Sequence, residues 1–284
     1  MKGDIIPIIK KYIPKVIVIH HNCEVDFQND NNRPTTLFGF FPHWVRCNEN
    51  NSYQLADLNL FLTAYDMNHF TDIYGAIDDS KRAVVGIYLP DKYEFKNDGK
   101  LSTFKFAICG GLNNVQTVKG IKDFSKLLPI LEDVIGDKIE LTIAGRNPGN
   151  YIKDFCLSRS YIRLVENPVD MSEVLLNSGI FICPINVGSG LKLRVMDGLK
   201  LGMPIITHEV SARGYEAFFN EPWFKVYKDR QTFRKALIEV LEYCSNNIDI
   251  RLKIIAKFKA YFSFESGDIR FINYIDKIVN GQVQ

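Results

Sequence analysis

The sequence predicts an α/β protein in which parallel sheets are covered by helices. Short β-branched runs alternate with longer amphipathic stretches along the chain, the pattern of strand, crossover helix and parallel strand. A glycine-rich turn, GSG at 188–190, stands between an apolar run and an amphipathic stretch. At 284 residues there is material for two domains of ordinary size.

Taken in order, strands are expected at 16–20, 60–63, 83–87, 104–109, 139–144, 162–164, 180–183 and 204–207, each a short run rich in Val, Ile, Leu or Phe. Helices are expected between the last five. The stretch 120–135 places Ile121, Phe124, Leu127, Leu128 and Leu131 three or four apart, and 171–177 and 191–201 follow similarly. Right-handed crossovers then build a doubly wound sheet. The polar stretch 88–103 contains Pro90 and Gly99 and marks a domain boundary, giving a first domain over 1–100 and a second over 101–284. Helical patterns close the chain at 232–243 and 248–262. With about three strands, the first block is short of a complete doubly wound domain.

Composition narrows the function. Lys and Arg number 35 against 33 Asp and Glu, which leaves no concentrated basic stripe of the kind that binds nucleic acid. Basic residues gather at Lys10, Lys11 and Lys15, and again at Arg251, Lys253, Lys257 and Lys259. Solvated helix faces and contact with an anionic membrane surface both remain open for them. The six cysteines are scattered, with no metal-ligand spacing, and Cys23, Cys109 and Cys183 follow or lie in apolar runs as buried free thiols do. That suits a reducing cytosol. The amino terminus, broken by Pro7, Pro14 and several lysines, offers neither a signal peptide nor a membrane span. A soluble or peripheral protein is expected.

The segment PINVGSGLKLRVMDGLKLGMP, 184–204, carries the chemistry. An apolar strand ends at Pro184, a loop with two glycines and a serine follows, and a helix is expected from near Leu191. Such a turn lets backbone N–H groups approach an anion, and the helix N-terminus adds its positive dipole end. Phosphate is the natural occupant. Lys192 and Arg194 fall in the expected first helical turn, two residues apart, so they point in different directions. Asp197, one turn on, suits the hydroxyls of a sugar or ribose or lies solvated on the helix. A nucleotide-dependent oxidoreductase is disfavoured, because GGLNNV after FAIC is not the G-x-G-x-x-G of that class.

Pro184, Gly188, Ser189, Gly190, Lys192, Arg194, Asp197, Gly202 and Pro204 together resemble the carboxyl-terminal signature of family 4 glycosyltransferases of GT-B fold, in their Gly-Ser-Gly subgroup. Upstream, FAICGGLNNVQTVKGIKDFSKLLPIL resembles the opening strand and helix of that domain. IELTIAGRNPGN and IRLVENPVDMSEVLLNSGIFICP resemble its later strands. More weakly, VIVIHHNCEVDF and ADLNLFLTAYDMNHFTDIYG resemble first-domain segments. Where many relatives carry two glutamates eight positions apart, this chain has Ser189 and Asp197. It also lacks several amino-terminal strands and a glycine-rich loop that relatives have on the acceptor side.

The resemblance implies an α/β, GT-B-like architecture of two Rossmann-like domains with parallel sheets, the N-terminal one incomplete. It implies transfer of a sugar, with retention, from a nucleotide-diphosphate-sugar to a glycan or lipid-linked acceptor. Gly188, Ser189, Gly190 and Leu191 become backbone donors to the diphosphate, with Lys192, Arg194 and Arg146 as side-chain contacts and Asp197 as hydroxyl acceptor. His21, at a strand end, falls near the transferred sugar, with Glu24 and Asp66 as weaker candidates on the sugar or acceptor side. His43, His69 and His208 are expected to be structural. No cofactor or metal is expected, since no two aspartates are separated by a single intervening residue. A cytoplasmic place, peripheral at the inner membrane face, and a part in surface polysaccharide assembly would suit such an enzyme. The alternative is a catalytically silent nucleotide-sugar-binding or subunit protein from a truncated glycosyltransferase.

Overall fold

The computed structural model describes residues 3–26, 40–89 and 101–280. Most of the expected boundary, 90–100, and Phe27 lie outside the described residues. The chain forms two compact units: Met1–Pro90 with Gly188–Leu191 and Tyr261–Gln284, and Asp91–Val187 with Lys192–Ala260.

Among the described residues, the first unit holds three parallel strands in the order β1 (Ile17–His20), β2 (Leu58–Phe61) and β3 (Arg82–Val84). All four residues of β2 are buried, as befits a central parallel strand covered on both faces. Alternation sends Leu58, Leu60 and Leu62 into a cluster with Val85 and Ile278. Phe61 enters a second cluster, with Cys23, Tyr53 and Phe70. Asn59 is the polar exception in β2, and it is satisfied: its amide donates to the carbonyls of Tyr53 and Lys81, and its Oδ1 meets His20 Nε2 at 2.8 Å.

Helix α1 (Phe40–Leu55) precedes β2, and α2 (Ala64–Tyr74) follows it. Thr63 caps α2, accepting the N–H of Asp66, and Gly75 at φ +87° ends it. Strand β3 is shorter than the expected 83–87, because Gly86 at φ +71° turns the chain away.

The second unit contains a six-stranded parallel sheet, order β6-β5-β4-β7-β8-β9, formed by β4 (Lys105–Gly111), β5 (Glu140–Arg146), β6 (Ile162–Glu166), β7 (Ile180–Cys183), β8 (Ile205–His208) and β9 (Phe224–Tyr227). Five of these were expected; β9, with the sequence FKVY, was not. The expected helix at 120–135 is α3 (Val115–Phe124), a 3-10 turn and α4 (Leu128–Ile135), with Pro129 in the first turn of α4. Helices α5 (Asn150–Leu157), α6 (Met171–Leu176) and α7 (Leu193–Lys200) complete the crossovers, followed by α8 (Arg230–Asn246) and α9 (Ile250–Phe262). All six cysteines are free, and only Cys47 is exposed.

The last helix, α10 (Phe264–Val279), groups with the first unit and not with the domain that chain order would assign it to. Ile278 enters the core beside β2, Arg270 and Tyr274 donate to the carbonyls of Val85 and Val84, and Gly267 leaves room for the ring of Tyr88. Apolar periodicity says that a helix has a buried face, not which sheet receives it.

Candidate functional site

The strand order of the second unit contains one reversal. From β4 the chain steps outward through β5 to β6, then returns to the other side of β4 as β7. The GSG segment follows β7 in the chain. In open α/β sheets ligands bind at the carboxyl ends of strands where the order reverses.

Several residues of the second unit converge there. Strand β4 ends at Gly110 and Gly111; a Cβ on Gly110 would sit 3.2 Å from Thr117 and 3.9 Å from Arg194 Nε. Arg194 therefore lies over the end of β4. Its Nη1 is 3.3 Å from Asp197 Oδ2. Burial raises the Asp197 carboxyl above its usual range, and Arg194 opposes the shift. The Cys109 thiol is pushed up by burial and by Asp197. A half-sequestered cation and carboxylate on the first turns of α7 can receive a diphosphate and a hydroxyl, respectively.

Lys192 lies outside the first helical turn in which the sequence placed it. It is the N-cap of α7, with φ −86° and ψ 91°, and α7 begins at Leu193. Lys192 is buried, and its carbonyl accepts the phenol of Tyr215 at 2.9 Å. Arg146 is exposed at the end of β5. Helix α7 packs closely on the sheet at Gly198, where a Cβ would stand 2.8 Å from Ile205 and 2.9 Å from Phe181.

The loop Gly188–Leu191 belongs to the first unit, and its groups are engaged there. Gly188 and Gly190 take φ +96° and +72°, which glycine adopts without strain. Ser189 Oγ donates to the carbonyl of Cys23 at 3.2 Å, and Gly190 N–H donates to Asp66 Oδ1 at 3.2 Å. Leu191 packs on the Leu58 cluster. The expected set of backbone donors to an anion is thus altered: the Gly190 N–H meets a carboxylate of the protein itself. Asp66, expected on the sugar side, is fully buried, and its Oδ2 accepts Thr63 Oγ1 at 2.6 Å.

His21 is exposed at the end of β1, and its carbonyl would stand 3.0 Å from a Cβ on Gly190. Its neighbour His20 is buried against Phe61 and Phe70. Glu24 is half-buried and donates its backbone N–H to Glu49 Oε1 at 2.8 Å. Glu49 was not singled out from sequence, because a lone glutamate in a polar helix carries no signal. It is buried, accepts from Glu24, Val25 and Tyr74, and its carboxyl is raised by burial.

A cavity of about 300 Å³ lies at the same edge of the second unit's sheet, lined in part by Asp123, Asn186, His208, Tyr227 and Arg230. Asn186 Nδ2 donates to Asp123 at 2.8 Å, while its buried Oδ1 has no partner among the described residues. His208 Nδ1 accepts the N–H of Val210.

Residues 103–243 match the family model for group 1 glycosyl transferases. The matched segment holds β4 to β9, α7 and the Arg194–Asp197 pair. The fold is that of GT-B glycosyltransferases. Sucrose-phosphate synthase from Thermosynechococcus elongatus superimposes with a TM-score of 0.69 at 10% identity, over 98% of this chain and 72% of that one. HepE of Anabaena, in complex with UDP, gives 0.68 at 10% identity, over 92% and 72%. A mutant of S. aureus TarM in complex with Fondaparinux, alpha-GlcNAc-glycerol and UDP gives 0.64 at 12% identity, over 92% and 50%. The chain therefore spans about half the length of TarM. No curated protein sequence matches it. Among the described residues, no helix is long and apolar enough to cross a membrane.

Proposed function

We propose that the chain transfers a sugar, with retention and without a metal cofactor, from a nucleoside-diphosphate sugar to a glycan or lipid-linked acceptor. The observation that carries this reading is the meeting of Gly110, Arg194 and Asp197 at the strand-order reversal of a segment that matches group 1 glycosyl transferases. A departing nucleoside diphosphate gains negative charge in the transition state, and fixed cations and N–H groups aimed at it lower the barrier. In this reading Arg194 and Lys192 serve the phosphates, with Gly188, Ser189 and Leu191 as backbone donors and Arg146 as an outer contact. Asp197 accepts a ribose or sugar hydroxyl. The cavity beside Asn186 is suited to the nucleoside, whose amide and hydroxyl donors would satisfy Asn186 Oδ1. His21 and Glu24 are the candidates for contact with sugar or acceptor. UDP in the HepE and TarM complexes supports a uridine nucleotide as the first donor class to try.

Contact with the inner membrane face belongs to the same proposal. Ile8, Tyr12 and Ile13 are 57%, 84% and 50% exposed beside Lys10, Lys11 and Lys15, a mixture suited to an anionic lipid surface. A part in surface polysaccharide synthesis, on the cytoplasmic side, is consistent with the name of WaaG, a neighbour involved in lipopolysaccharide biosynthesis.

A second reading is favoured by one observation: the Gly190 N–H is held by Asp66. In that reading the chain binds a nucleotide sugar, or serves as a subunit, without catalysing transfer. Calorimetric titration with nucleoside diphosphates, followed by donor-hydrolysis and transfer assays on the full chain, separates the two. Binding with turnover supports transfer and binding without turnover supports the silent protein. No binding of any nucleoside diphosphate overturns both transfer and nucleotide-sugar binding and leaves only the subunit.

A further inference from the structure

In the first unit a thiol, a carboxylate and an imidazole meet at one point. The ligand atoms of Cys23, Asp26 and His69 all lie within 4.8 Å of one another. We propose that Cys23, Asp26 and His69 bind a divalent transition metal of the zinc class.

The donor set argues for that class. A thiolate sulfur with an imidazole nitrogen and one carboxylate oxygen suits Zn²⁺ and Co²⁺, whereas Ca²⁺ and Mg²⁺ take sets of oxygens. Bonds of about 2.0 to 2.3 Å in a tetrahedral site put ligand atoms roughly 3.3 to 3.8 Å apart, so side-chain movements of about an ångström close the cluster.

His69 carries the strongest geometric sign. Its Nε2 is 2.8 Å from Asp26 Oδ2, yet the two are not aligned as a hydrogen bond, and the buried Nε2 has no hydrogen-bond partner among the described residues. A ring nitrogen buried without a donor or acceptor costs free energy; a metal ion would satisfy it. The ring of Tyr65 stacks on the imidazole, centroids 5.7 Å apart at 25°, and fixes its plane.

Cys23 is fully buried, with Sγ 3.7 Å from Glu49 Oε2. Glu49 is itself held by Glu24, Val25 and Tyr74, so it is a rigid neighbour able to orient the ion or its fourth ligand. Burial and Glu49 keep the thiol protonated well above its usual range. Binding forms the metal–sulfur bond and releases that proton to solvent; no oxidant or reductant is needed. The carbonyl of Cys23 accepts Ser189 Oγ, so an ion on Cys23 stiffens the turn that holds the GSG loop.

The test uses the full chain, stripped with a chelator and titrated with Co²⁺ and then Zn²⁺. A Cys47→Ser background removes a competing site, since exposed Cys47 Sγ lies 3.4 Å from His43 Nε2. We expect one Co²⁺ per chain, with tetrahedral visible bands and a thiolate-to-cobalt charge-transfer band, displaced by Zn²⁺. Cys23→Ser should abolish the charge-transfer band, and His69→Gln should weaken binding by at least about tenfold. If Cys23→Ser fails to fold by circular dichroism, His69→Gln carries the comparison. Absence of Co²⁺ binding in the Cys47→Ser protein, or binding unchanged by His69→Gln, overturns the proposal and leaves an ordinary carboxylate–imidazole contact.

Discussion

Asp66 Oδ1 accepts the backbone N–H of Gly190 across 124 residues of chain, at 3.2 Å, while its Oδ2 accepts Thr63 Oγ1 at 2.6 Å. The same carboxylate thus holds the start of α2 and the middle of the GSG loop. Charge-assisted bonds of this kind contribute more than neutral ones, and a buried group deprived of its partner loses solvation as well. Asp66→Ala is expected to lower stability by about 2 kcal/mol, read from urea denaturation. Thr63→Ala, which removes the cap alone, should cost about 1 kcal/mol.

Gly190→Ala should also destabilise the chain. The backbone takes φ +72°, and the new Cβ would stand 3.0 Å from the carbonyl of His21 and 3.2 Å from Asn22 Cβ. A side chain in that backbone region costs roughly 1 to 2 kcal/mol before the close contacts are counted. Gly149 serves as the control: its φ is −74° and nothing lies within 4 Å of its Cβ position. Thermal unfolding should show a clearly lower Tm for Gly190→Ala than for Gly149→Ala.

The phosphate assignment meets its own test in Lys192→Ala combined with Arg194→Ala. Affinity for a nucleoside diphosphate should fall at least tenfold, about 1.4 kcal/mol, in calorimetry. Arg194→Ala alone removes the cation that opposes burial of Asp197, so the Asp197 carboxyl should titrate still higher. Unchanged affinity in the double variant would refute the assignment.

His20 should impose a pH dependence on stability. Burial lowers its pKa from 6.5 to about 4, and Nε2 donates to Asn59 Oδ1, because the Asn59 amide nitrogen is committed to two carbonyls. The folded-state value is depressed, so between pH 6.5 and about 4 the unfolded chain binds a proton that the folded chain does not. Stability is complete above pH 6.5 and falls with acidification through that window, by about 3 kcal/mol at its end. Denaturant melts at pH 7 and pH 5 should show the loss. His20→Gln should flatten that part of the profile.

The parallel α/β string was readable along the chain because strand and helix periodicity are local properties. Strands β4 to β8 agree with the runs read from sequence, and the turn at Gly188 and Gly190 does take the positive φ that glycine permits. Strand β9 was missed because FKVY is short and interrupted by a lysine, and it follows an aromatic, proline-bearing turn that reads as loop. The start of α7 shifted by two residues because Lys192 adopts an extended backbone as N-cap, and lysine carries no capping signal. His21 stood out for its place at a strand end, but the buried, strongly perturbed histidine is its neighbour His20. Alternation of faces could suggest this, although one residue of register decides it.

What the sequence determined by itself was the order of strands and helices, the glycine turn at 188–190 and the charged residues after it. These follow from backbone preference and side-chain type within a few positions. Tertiary structure alone decided that Asp66 takes the Gly190 N–H, that Glu49 secures Glu24 and Val25, that α10 packs on the first sheet, and that His69 reaches Asp26. Each joins groups far apart in the chain, and only the folded packing of apolar faces brings them within reach. Local periodicity specifies which face is buried and leaves the partner open.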